Sequence, residues 1–108
     1  MKPEPKVIKI EHRGQEYVRL LGGPPESVSM RSGAVCLHPG GNVGKHSTGC
    51  NEELLIILEG EGSLLHGESK KLDMAAGNVL YCPPETEHDV RNTGAGILRY
   101  IYVTARVK

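Results

Sequence analysis

Apolar residues in this chain fall into short runs separated by glycine and proline. The runs are "KVIKI", "EYVRLL", "GAVCLH", "ELLIILE", "GSLLH", "NVLYC" and "GILRYIYV". In the last, Ile97, Arg99, Ile101 and Val103 alternate with Leu98, Tyr100, Tyr102 and Thr104, the period of two that marks a strand. "NEELLIILEG" contains good helix formers, Glu and Leu. Its apolar residues are nevertheless continuous, it holds the β-branched pair Ile56-Ile57, and glycines lie at 49 and 60. A strand buried on both faces, or nearly so, is predicted there. Fourteen glycines and seven prolines leave few gaps wide enough for a three-turn helix. The pattern predicts an all-β sandwich or barrel.

With no Trp and no Phe, the interior must be built mainly from Val, Ile and Leu, side chains that favour strands. A chain of 108 residues fits one domain. "MKPEP" reads as a loose end at residues 1–5, ahead of a single domain over 6–108. Lys plus Arg and Asp plus Glu both number 13, without a run of one sign, so nucleic acid and anionic membranes are not expected partners. The longest apolar run, Leu54 to Leu58, is far short of the ~20 residues that span a bilayer. The N-terminal stretch lacks the apolar segment of a secretion signal. Cys36, Cys50 and Cys82 cannot all pair within one chain and form no C-x-x-C motif. Reduced thiols and a cytoplasmic setting are expected.

The candidate chemistry begins at His46. If the following residues are extended, His46, Thr48 and Cys50 share one face. A register shift at Gly49–Asn51 would add Glu53, with Leu55 and Ile57 beyond it, whereas strict alternation selects Glu52. A second segment, "GNVLYCPPETEHDVRN", sets His88, Val90 and Asn92 on one face of another strand. Two histidines and a glutamate buried without partners would each cost about 1–3 kcal/mol. A shared metal ion would remove that cost.

Residues 40–60 resemble the first signature of the cupin family, G-x5-H-x-H-x3,4-E-x6-G, through Gly40, His46, Glu53 and Gly60, with Thr48 where a second histidine is usual. Residues 77–92 resemble the second signature, G-x5-P-x-G-x2-H-x3-N, through Gly77, Pro83, His88 and Asn92, with Glu85 in place of glycine. The resemblance implies a small cupin, a double-stranded β-helix or jelly-roll barrel, holding one divalent transition metal ion (Fe, Mn, Ni, Zn or Cu). The implied ligands are His46, Glu53 and His88, with Asn92 a neighbour. The distance back from Gly60 favours Glu53 over Glu52. Dioxygenase, isomerase and decarboxylase chemistry all occur in such proteins. A small-molecule ligand or substrate is the implied partner, and a homodimer is expected.

The threonine at 48 removes one usual ligand. The site then keeps two histidines and a carboxylate, or recruits Cys50 as a thiolate, which would favour zinc or copper(I), or holds metal weakly and serves an organic ligand. The last case describes a non-catalytic binding or sensor module. Tyr81, Tyr100 and Tyr102 could line a pocket, where a phenol offers an apolar face and a donor, or pack in the core or a dimer contact. Cys36 and Cys82 read as core residues, His38 as a strand-end residue near solvent, and His12 and His66 as residues of polar turns without a role.

Overall fold

The computed structural model describes residues 2–11 and 14–107. Among the described residues there is no α-helix, and hence none long and apolar enough to cross a membrane. The strands are β1 (Tyr17–Gly22), β2 (Arg31–Leu37), β3 (His46–Ser47), β4 (Asn51–Glu59), β5 (Glu61–His66), β6 (Lys70–Ala75), β7 (Val79–Cys82), β8 (Glu87–Asn92) and β9 (Leu98–Arg106). They form two antiparallel sheets, one ordered β1-β2-β9-β4-β7 and the other β3-β8-β5-β6. Strands distant in sequence lie side by side, as in a double-stranded β-helix.

Alternation explains the core. Leu55 and Ile57 of β4, Leu98 and Tyr100 of β9, Val35 and Leu37 of β2, Leu80 and Cys82 of β7, and Leu64 and Val90 of the smaller sheet form one buried cluster with Met74. The registers align them in rows: Val35 faces Tyr100, which faces Ile57. Burial of these side chains is the main force holding the sheets together.

The outer face of β4 departs from expectation. Leu54 and Leu58 remain 37% and 42% exposed, so this strand is buried on one face, because among the described residues no other segment covers its far side. "KVIKI" also forms no strand; Val7 is 91% exposed. Conversely, "KKLDMA", whose polar residues hide its pattern, forms β6 by pairing with β5.

Gly60 makes the turn from β4 to β5 at a φ of +88°, and a Cβ there would fall 2.2 Å from the Ile97 carbonyl oxygen. Only glycine fits both the left-handed backbone and the close approach. Glu85 occupies the same left-handed region, at φ +53°. The position where the resembling signature carries glycine therefore requires the conformation glycine adopts most readily.

Candidate metal centre

Three strands from both sheets converge at one end of the barrel. β3 pairs with β8 so that His46 is the register partner of His88. Glu53 reaches them from β4 in the opposing sheet. One donor atom from each of His46, Glu53 and His88 lies within 4.8 Å of the others. Three ligands bound at 2.0–2.2 Å to one ion stand roughly 3–4 Å apart, so modest side-chain adjustments would close the set.

The two imidazoles are oriented by the same local device. His46 Nδ1 lies 2.8 Å from the Gly44 carbonyl oxygen, and His88 Nδ1 lies 3.1 Å from that of Thr86. An N–H at each Nδ1 leaves Nε2 to face the site, the tautomer in which a backbone carbonyl supports a metal-ligating histidine. The rings are 4.3 Å apart at their centroids, with planes inclined by 55°.

Glu53 and His88 are 8% and 2% exposed, and His88 Nε2 lies 2.9 Å from Glu53 Oε1, to which it donates when the ring carries a proton on both nitrogens. This hydrogen bond raises the His88 pKa above its ordinary value; burial works against the shift, and the Thr86 carbonyl and the charges of Glu53 and Asp89 add to it. Cys82, opposite Glu53 in the register, has its thiol pushed up to about 11 by burial and then by the Glu53 charge. It behaves as a core residue.

Two clasps hold the loops that carry the histidines. Thr48 Oγ1 donates to the Pro83 carbonyl at 2.7 Å and accepts the Thr86 N–H at 3.0 Å. The Thr48 N–H reaches the Thr86 carbonyl at 3.1 Å, and the Glu85 N–H reaches the Gly49 carbonyl at 2.9 Å. The second clasp is Asp89, which accepts from the Gly44 N–H at 2.8 Å and the Asn42 amide at 3.2 Å. Burial alone would raise its pKa, but these donors and Arg91 outweigh burial and lower it.

The other sequence candidates separate clearly. Thr48 lines the cavity, but its hydroxyl is engaged with the backbone, so it stands as a loop clasp rather than a ligand. Cys50 is exposed and outside the His46–Glu53–His88 cluster. Asn92 is buried and bonds the carbonyls of Leu37 and Gly96 and the Gly94 N–H, which organises the turn after β8. Tyr81 points away from the cavity and donates to Glu52 at 2.9 Å. Glu52, the rival carboxylate, is thereby on the outer face. His38 is exposed, and His66 is half-buried beside His88 in the register but outside the cluster. His12 lies outside the described residues.

The three donors open into a cavity of about 550 Å³ between the sheets. Val35, Leu37, Leu55 and Val90 give it an apolar wall, and Tyr17, Tyr100, Tyr102 and Thr104 add hydroxyls. Arg31 and Tyr17, which sequence reading did not single out, also line it. Their position depends on the register of β1 against β2 and of β2 against β9, which no local motif encodes.

This fold and this donor set define a class, and comparison with known proteins agrees. Residues 33–104 match the cupin domain family, and the chain belongs to it. An oxalate-binding protein of Thermotoga maritima is 34% identical over 67 residues, covering 62% of this chain and 54% of that protein. An uncharacterised protein of Methanocaldococcus jannaschii is 40% identical over 50 residues, covering 46% of this chain and 38% of its own. These matches thus span about half or less of the curated relatives. The solved structure of a predicted oxalate decarboxylase from Thermotoga maritima superposes with a TM-score of 0.77 at 27% identity, over 84% of this chain and 79% of that one.

Proposed function

We propose that this chain binds one divalent transition metal ion through His46, Glu53 and His88, and that a small organic molecule enters the adjoining cavity to meet it. The observation that carries this reading is the convergence of three donors from three strands within 4.8 Å. Two imidazoles and a carboxylate suit iron, manganese, nickel, zinc or copper. Such an ion, when bound, would supply Lewis-acid positions open to a ligand oxygen. The chain's own residues supply the rest. The Gly44 and Thr86 carbonyls aim the imidazoles, Glu53 contributes negative charge, and the aliphatic wall excludes bulk water. Similarity to an oxalate-binding protein supports a small organic ligand. Decarboxylation, dioxygenation and isomerisation are all reactions that such a site can host.

A second reading, a non-catalytic binding module, is favoured by one observation: Glu53 and His88 are close enough, at 2.9 Å, to satisfy each other directly. Metal analysis and titration separate the two. The metal reading expects close to one equivalent of a transition metal in the wild-type protein, lost in His88→Ala and Glu53→Ala. Less than about a tenth of an equivalent, with no uptake on titration, would overturn it.

The free thiols of Cys36, Cys50 and Cys82 support a reducing, cytoplasmic setting. We also infer a homodimer through the outer face of the larger sheet. There Leu54 is opposite Tyr81 and Ile56 opposite Val79, and Leu54, Leu58, Val79 and Tyr81 are exposed together. Adjacent exposed apolar residues of this kind mark contact surfaces. Light scattering at micromolar concentration is expected to give twice the chain mass; the mass of one chain would refute the dimer.

A further inference from the structure

Arg31 stands at the same level of the larger sheet as Glu53. It is the register partner of Thr104 on β9, and Thr104 is the partner of Glu53 on β4. Two interstrand steps put the Cα atoms of Arg31 and Glu53 roughly 10 Å apart. Both residues line the cavity, and among the described residues that do so Arg31 is the sole Lys or Arg. Its Nη1 donates to the Gly22 carbonyl at 2.6 Å, which anchors the guanidinium and leaves its other N–H groups to give. Glu26, the acid nearest to it in sequence, is paired with Arg19 at 3.0 Å.

One row deeper, Gly33 faces Tyr102. A Cβ on Gly33 would fall 2.6 Å from the Tyr17 ring and 2.7 Å from the Tyr102 ring, so the two rings fill the space a side chain would need. They stack with centroids 6.2 Å apart, and their hydroxyls are 2.7 Å from each other. A hydroxyl pair uses one of its two protons internally. The other phenol proton is left as a donor beside the Arg31 row.

The carboxylates on the cavity wall are Glu16 and Glu53. A divalent ion together with Arg31 outweighs them, which makes the loaded cavity net positive. We propose that Arg31 and the Tyr17–Tyr102 hydroxyl pair form a second pole of the cavity that selects a small organic carboxylate, held by the guanidinium while another oxygen of the same molecule faces His46, Glu53 and His88. The metal-facing half of this arrangement rests on the function proposed above; the Arg31 half does not. A planar guanidinium matches a carboxylate through two parallel N–H bonds, which an ammonium cannot reproduce.

Calorimetric titration of metal-loaded protein with malonate and succinate, with malonamide as a neutral control, tests the proposal. At least one dicarboxylate is expected to bind and malonamide is not. Arg31→Gln should weaken carboxylate binding by at least about ten-fold, with Arg31→Lys in between, and leave metal content unchanged. Gly33→Ala, which keeps Arg31 but displaces both tyrosines, should also weaken it. Circular dichroism establishes that each variant is folded. Equal affinity of wild type and Arg31→Gln, malonamide binding as tight as malonate, or no binding of either dicarboxylate would each overturn the proposal. The metal reading fails separately: protein that takes up no metal yet binds malonate in an Arg31-dependent way retains this pole and loses the other.

Discussion

His46 and His88 are direct partners across the β3–β8 pair, and each ring faces the carbonyl oxygen of the residue two positions before it. Both imidazoles are thus aimed by backbone just ahead of the strands that carry them. Glu53 is the one member of the cluster supplied by the other sheet. Replacing it by Gln keeps the shape but removes the charge that suits a divalent ion. Glu53→Gln is expected to lower metal affinity by at least about 100-fold, read by competition with a chelating dye; unchanged affinity would remove Glu53 from the ligand set.

The raised His88 pKa gives a pH signature. In metal-free protein the folded state holds its proton more tightly than the unfolded chain, whose histidine titrates near 6.5. The stability this contributes is fully present below about pH 6.5 and is lost as pH rises through the folded pKa. An ion bound through His88 would compete with that proton, so the stabilisation by metal should grow over the same interval. Thermal melts across this range, with and without metal, should show the two slopes opposed.

Thr48 is buried and serves two backbone groups, the Pro83 carbonyl and the Thr86 N–H. Thr48→Val leaves both without that partner at nearly constant volume. A loss of about 1–3 kcal/mol is expected in denaturant unfolding. The number of metal equivalents bound at saturation should stay the same, which distinguishes a clasp from a ligand.

Glu85→Gly should have the opposite sign. A non-glycine residue in the left-handed region costs roughly 1–2 kcal/mol, partly offset by the greater freedom glycine has in the unfolded chain. A net gain of up to about 1 kcal/mol is expected. Destabilisation would mean that the Glu85 side chain makes a compensating interaction.

The grouping of His46, Glu53 and His88 was legible in the sequence because the spacings that carry it are local. His46, Glu53, His88 and Asn92 sit at fixed distances from turn glycines and prolines, and strand alternation then fixes which way they face. The same alternation places Tyr81: Leu80 and Cys82 point into the core, so the residue between them points out. Cys50 fails for a related reason, since β3 ends at Ser47 and a turn intervenes before β4. What sequence could not supply was register between strands far apart in the chain. Arg31, Thr104 and Glu53 form a row only because β9 inserts between β2 and β4. "KVIKI" carries the composition of a strand yet is not one, because composition does not provide a neighbour to pair with.

The contact between Glu53 and His88 also joins the two sheets of the barrel. A proton and a metal cation would therefore compete to be the rivet of the same seam. Either ion would tie β4 of the larger sheet to β8 of the smaller one at this point.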